Sequence, residues 1–186
     1  MNTSFASRAG EKLDYALKEF NIDVKGLTCA DFGSSVGGFV DCLLKHGAEK
    51  VFAVETGYGE LAWTLRNDQR VVVLEKTNAM HVVLPQKVDV ITNDTSWTKQ
   101  EKIFPNILEN LKENGLIVTL IKPHYEADKK LLYKGKLEED TAELVAKQVY
   151  EMLPKIFPVV AKGFVKSPLV GSKGGNSEFV AYFQKI

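Results

Sequence analysis

The chain is short of the features that announce the commoner specialised classes. It has two cysteines and three histidines in 186 residues. Cys29 and Cys42 are too far apart for a CxxC pair and have no clustered histidines, which argues against a disulfide framework or a zinc site. No metal is expected. The N-terminal stretch MNTSFASRAGEKL has no apolar core of a signal peptide, and no segment approaches the length of a membrane span. The expectation is a cytoplasmic protein with reduced thiols. There is no excess of either charge, with 24 Lys and Arg against 24 Asp and Glu. A polyanion partner would therefore have to be met by local clustering rather than by net charge. Repeats, low-complexity tracts and Pro/Gly/Ser-rich linkers are also missing. A single domain over 1–186 is expected, opening with a helical segment, 1–24.

What is present is an alternation of apolar, β-branched runs with amphipathic stretches. Ser7 to Phe20 reads as a helix with Leu13, Ala16, Leu17 and Phe20 on one face. TCADFG, KVFAVE, RVVVLE, VDVITND and LIVTLIKP read as strands. GGFVDCLLKHG, GELAWTLRND and KIFPNILENLKENG read as the helices between them, the last with Pro105 near its first turn. A long helix over Glu138 to Leu153 precedes VVAKGFVKS and EFVAYFQK, two closing strands spaced for an antiparallel pair. This order predicts an α/β fold: a Rossmann-like, mostly parallel seven-stranded sheet with an antiparallel last strand and helices on both faces.

Two features point to chemistry. ADFGSSVGGF follows the first strand and opens a helix, so its glycines and unpaired N–H groups can approach a ligand. Its spacing is GxxxGG rather than the GxGxxG of a pyrophosphate site, which favours a cofactor without phosphates. Glu55 ends the next strand, where a carboxylate can accept both hydroxyls of a ribose. The combination resembles the S-adenosylmethionine site of class I methyltransferases. The residues expected at the cofactor are Asp31, Gly33, Gly37, Phe39, Glu55, Asn78 and Asp94. The second feature is Lys122, a charge at the end of an apolar strand, where open α/β sheets carry their chemistry. TNDTSWT lacks the Pro-Pro-aromatic signature of amine methylation, leaving hydroxyl, carboxylate or carbon acceptors.

The segments SRAGEKLDYALKEF, DFGSSVGGFVDCLLKHGAEKVFAVETGYGELAWTLR, NDTSW, LIKPHYE and GNSEF together resemble the FtsJ-like RNA ribose methyltransferases, in their TlyA or haemolysin-like branch. The resemblance implies a Rossmann-like methyltransferase that uses S-adenosylmethionine and 2′-O-methylates RNA, first of all ribosomal RNA. It implies a Lys-Asp-Lys-Glu tetrad at Lys12, Asp94, Lys122 and Glu178. It also implies RNA, or a ribosomal subunit, as partner and no membrane. Relatives of this branch usually carry a small RNA-binding domain ahead of the catalytic one, and this chain begins almost at the tetrad lysine. Substitute RNA contacts are expected from Arg8, Lys129, Lys130, Lys134, Lys136 and Lys173, with a homodimer or second protein as a further source. DTSW stands where DVSF is usual, and Met80 where an arginine is common. Two alternatives share these features: a methyltransferase acting on a small-molecule hydroxyl, and a non-catalytic RNA- or cofactor-binding protein bearing the haemolysin name. Lys122 can serve as a base when neutral, or otherwise orient the hydroxyl.

Overall fold

The computed structural model describes residues 4–171 and 175–186. Seven strands form one sheet: β1 (Thr28–Phe32), β2 (Lys50–Val54), β3 (Val71–Leu74), β4 (Val88–Asn93), β5 (Leu111–Ile121), β6 (Val159–Lys166) and β7 (Phe179–Lys185). The helices are α1 (Ala9–Glu19), α2 (Gly38–Lys45), α3 (Trp63–Arg66), α4 (Gln100–Asn110), α5 (Pro123–Glu126) and α6 (Glu139–Ile156). The strand order is β3-β2-β1-β4-β5-β7-β6. Strands β1 to β5 pair in parallel, and β7 runs antiparallel to both β5 and β6. The expected Rossmann-like sheet is therefore present.

Strand periodicity builds two cores. Successive side chains of a strand point to opposite faces. Ala30 and Phe32 of β1, Phe52 and Val54 of β2, and Ile117 and Ile121 of β5 enter one apolar cluster with Ile103, Phe104 and Ile107 of α4 and Ala146 and Leu153 of α6. Their neighbours Cys29, Val51, Ala53, Val118 and Leu120 enter the other, with Leu13 and Leu17 of α1 and Phe39 and Leu43 of α2. Runs that are apolar at every position follow from this burial on both faces.

Three elements differ from expectation. GELAWTLRND yields a helix of only four residues, α3, because the chain before it turns through Gly59 at φ 75° and enters at Ala62 in an extended conformation. Helix α4 starts at Gln100, so Pro105 is interior rather than near the first turn. It ends at Asn110, and KENG belongs to β5, where the β4–β5 register shifts between Val88 and Val90.

The reversal of β7 matters most for the site. The parallel strands bring their carboxyl ends to one edge of the sheet, and an antiparallel neighbour brings its amino end to that edge. Glu178, just before β7, therefore arrives beside Asp94 and Lys122, which follow β4 and β5.

Candidate functional site

A cleft of about 610 Å³ lies along this carboxyl edge. Asp31, Gly33, Phe39, Glu55, Asn78, Asp94, Lys12, Lys122 and Glu178 all line it, and so does Arg8. The cleft spans the point where β1 and β4 lie side by side, the position at which open α/β sheets bind ligands.

At one end, Glu55 organises two loops. Its Oε2 accepts from the Ser35 N–H at 2.8 Å, and its Oε1 accepts from Thr56 Oγ1 and the Gly57 N–H, both at 2.9 Å. Burial pushes this carboxyl up, but the Gly57 and Ser35 N–H groups outweigh that and hold it below the usual range. Three bonds leave part of a carboxylate's roughly four acceptor positions for a ligand hydroxyl. Asn78 is turned locally, its Oδ1 accepting from the Met80 N–H at 2.9 Å.

Asp31, in β1, is fully buried. Its Oδ1 accepts from Thr92 Oγ1 at 2.7 Å, so it bonds to a neighbouring strand rather than to the glycine-rich turn, and its Oδ2 has no partner. Burial raises its pKa to about 8 against the opposing Thr92 bond, with Asp94 and Glu55 adding to the rise.

The glycine-rich turn does less for a ligand, and more for packing, than its spacing suggests. Gly37 is not among the lining residues. It sits at φ 99°, and a Cβ there would come within 2.4 Å of Leu65 and 2.7 Å of Leu61. Gly38 faces α1: a Cβ would lie 2.3 Å from Ser7 Oγ and 2.9 Å from the Gly10 N. Gly10 reciprocates, 2.8 Å from the Gly38 carbonyl. This close approach lets α1 deliver Lys12 into the cleft, and its signal in the sequence was the glycine of SRAGEKL.

At the other end the tetrad residues form two ion pairs. Lys12 and Glu178, 5% and 4% exposed, are directly paired through Nζ and Oε2. Lys122, 8% exposed, lies with Nζ 2.6 Å from Asp94 Oδ1. Nζ also donates to the Asp94 carbonyl at 3.0 Å, the Thr95 carbonyl at 3.3 Å and Ser96 Oγ at 3.3 Å. The turn carrying these acceptors is anchored by a buried chain in which Asn93 Nδ2 donates to Thr119 Oγ1 and Thr119 Oγ1 donates to Gln100 Oε1, each at 2.8 Å. None of the three was anticipated from the sequence.

Four buried side-chain polar atoms among the described residues have no hydrogen-bond partner: Asp31 Oδ2, Asp94 Oδ1, Thr95 Oγ1 and His124 Nδ1. Asp94 Oδ1 is charge-paired with Lys122 despite lacking hydrogen-bond geometry. All four residues line the one cleft. Buried polar atoms in native proteins are almost always satisfied, so leftovers gathered in one place mark a ligand site. Glu55 with spare lone pairs, and an unpaired buried carboxyl at Asp31, fit the ribose hydroxyls and the amino group of S-adenosylmethionine.

The basic residues are arranged differently. Lys129 and Lys130 lie on a short 3₁₀ turn. Lys134 and Lys136 flank Gly135 in a tight hairpin closed by a Tyr133–Lys136 bridge, and all four are exposed. Asn176 pins the hairpin, accepting from the Leu137 N–H and donating to the Gly135 carbonyl. None of the four lines the cleft. Arg8 does, and its guanidinium donates to the Val170 carbonyl at 2.6 Å. Lys173 lies outside the described residues.

Asp14, Cys42 and His46 bring donor atoms within 4.8 Å of one another. His46 lies one helical turn after Cys42. Asp14 already accepts from Lys18 and is bonded to the His46 ring, and burial pushes the Cys42 thiol far up. The cluster works as a contact between α1 and α2.

A Rossmann-like, mostly parallel seven-stranded sheet with an antiparallel seventh strand defines a methyltransferase architecture, and its carboxyl edge carries Glu55 after β2 and the Lys122–Asp94 pair after β5 and β4. The chain belongs to the FtsJ-like methyltransferase family, whose profile matches residues 5–185. It is 42% identical to Hemolysin A of Brachyspira hyodysenteriae over 98% of this chain and 78% of that protein. It is 36% identical to the 16S/23S rRNA (cytidine-2′-O)-methyltransferase TlyA of Mycobacterium tuberculosis, over 95% of this chain and 68% of that one. A solved structure from Lactococcus lactis that carries the hemolysin name superposes with a TM-score of 0.93 at 34% identity, covering all of this chain and 90% of that one. No helix among the described residues is long and apolar enough to cross a membrane.

Proposed function

We propose that this protein transfers the methyl group of S-adenosylmethionine to a ribose 2′-hydroxyl of ribosomal RNA, in the cytoplasm, through Lys12, Asp94, Lys122 and Glu178. The observation that carries this reading is the presence of two ion pairs, the buried Lys12–Glu178 and the partly buried Lys122–Asp94, in the same cleft as Glu55 and Asp31. A relative named as an rRNA cytidine-2′-O-methyltransferase supports the substrate class.

When bound, the cofactor supplies an electrophilic methyl on a sulfonium. Glu55 would accept the ribose hydroxyls of its nucleoside, Asp31 Oδ2 would accept from its amino group, and Asn78 would serve the adenine. The four neighbours of Lys122 Nζ can all accept, one more than an ammonium's three donors, so a hydroxyl entering the cleft would take the place of one of them. That suits Lys122 to orient the attacking hydroxyl and to stabilise the negative charge that develops on its oxygen. Asp94 fixes the amine, and Lys12 with Glu178 lines the facing part of the cleft. Because the sulfonium is already reactive, alignment is the main task. Positioning of this kind supplies on the order of 7–11 kcal/mol of barrier reduction in favourable cases.

RNA is held by exposed charge. Lys129 and Lys130 on the 3₁₀ turn and Lys134 and Lys136 on the hairpin that follows are exposed cations suited to several phosphates despite the zero net charge. Arg8 lies nearer the reaction, in the cleft.

The test is transfer of labelled methyl from S-adenosylmethionine to ribosomal RNA from a host lacking this protein, followed by digestion to nucleosides. A labelled 2′-O-methylnucleoside is expected. Label on a base, or none despite calorimetric binding of the cofactor, would overturn the reading.

A further inference from the structure

Two of the unpartnered atoms, Thr95 Oγ1 and His124 Nδ1, have no task in the reaction as drawn. Both residues line the cleft with Lys122. The backbone of Thr95 is already committed: its N–H donates to Asn93 Oδ1 at 3.3 Å and its carbonyl accepts from Lys122 Nζ. Only its hydroxyl is idle. The His124 ring lies 4.0 Å, centroid to centroid, from Tyr125, which in turn lies 5.0 Å from Trp97. Trp97 is 82% exposed at the rim and sits at φ 64°, a conformation rare for a bulky residue. Such outliers persist where the surroundings impose them, often at sites of function. Burial, with the Lys122 charge adding to it, lowers the pKa of His124 below its ordinary value, so at pH 7 the ring has one donor and one acceptor nitrogen.

We propose that Thr95 and His124 determine acceptor specificity, hydrogen-bonding through Oγ1 and Nδ1 to polar groups of the nucleotide whose hydroxyl reacts. This rests on the RNA reading above. Buried polar groups discriminate strongly, because an acceptor that leaves them unpaired forfeits their desolvation cost.

The experiment compares Thr95→Val, His124→Leu and His124→Gln with wild type in methyl transfer to ribosomal RNA, with cofactor Kd measured by calorimetry on each protein. Thr95→Val and His124→Leu are each expected to lower kcat/KM for RNA about tenfold, the scale of one lost hydrogen bond. Cofactor Kd should stay within twofold, showing intact folding, and His124→Gln, which keeps a donor and an acceptor, should recover part of the loss. Unchanged kcat/KM in both removals would overturn the proposal alone, the two atoms then serving only ordered water. An equal loss of cofactor affinity would assign them to the cofactor and overturn it too. No transfer by wild type despite cofactor binding would overturn the RNA reading, and this inference with it.

Discussion

Lys122 and Lys185 have nearly the same surroundings at opposite edges of the sheet. Each is 8% exposed. Lys122 Nζ meets two backbone carbonyls and the Asp94 carboxylate. Lys185 Nζ meets the Leu108 carbonyl at 3.2 Å, the Leu111 carbonyl at 3.3 Å and Glu113 Oε1 at 2.7 Å. The difference is what lies around them. Lys185 closes the last turn of α4, a common duty for a lysine at a helix C-terminus, and does not line the cleft. Lys122 lines the cleft together with a second buried pair and all four unpartnered polar atoms. A buried lysine is thus not a site by itself. The sheet edge, the neighbouring charges and the leftover hydrogen-bonding capacity make one.

Exchanging the two lysines' fates breaks that comparison most directly. Lys122→Ala is expected to lower the rate of methyl transfer by at least about 10²-fold with cofactor Kd near wild type. Lys185→Met should leave transfer unchanged and instead reduce unfolding free energy by about 1–3 kcal/mol, since it orphans two buried carbonyls and frees Glu113. Equal activity losses in the two variants would erase the distinction.

The Lys12–Glu178 pair sharpens it. Lys12→Met strands a buried carboxylate and should cost about 3–5 kcal/mol in denaturant unfolding, whereas Lys12→Met with Glu178→Gln should recover much of that while transfer stays impaired. Stability and activity both restored in the double variant would mean the pair is structural, as Lys185 is.

A smaller effect separates Asp31 from the lysines. Its raised pKa, about 8 against 3.8 unfolded, means the folded state binds the extra proton between those values. Its contribution to stability is present below about pH 4 and is lost as pH rises through about 8. Asp31 protonated in the ligand-free protein must ionise to pair with a cofactor ammonium. Calorimetry at pH 7 in buffers of different ionisation enthalpy should therefore show release of most of a proton on S-adenosylmethionine binding. That release should vanish in Asp31→Asn.

Much of this was legible in the residues because it is local. Strands apolar at every position announce burial on both faces, and a charge ending such a run marks an edge, as at Glu55, Asp94 and Lys122. Lys12, Asp94, Lys122 and Glu178 were grouped only through the resemblance to a family, since nothing local links Lys12 to Glu178, whose contact joins opposite ends of the chain. Gly37, expected at the cofactor, packs against Leu61 and Leu65 and does not line the cleft, while Gly38 both lines it and packs on α1; spacing alone does not separate these duties. Thr95, His124 and the Asn93–Thr119–Gln100 chain are ordinary polar residues whose meaning lies in the partners they have or lack. Lys185 meets the Leu108 and Leu111 carbonyls far upstream in the chain, a contact that only the fold supplies.

The role of Lys122 is tested most directly by single-turnover methyl transfer to ribosomal RNA by wild type, Lys122→Ala and Lys185→Met, each saturated with S-adenosylmethionine. Wild type and Lys185→Met are expected to form 2′-O-methylribose at comparable rates, and Lys122→Ala at a rate at least about 10²-fold lower. Wild-type-like transfer by Lys122→Ala would contradict that role.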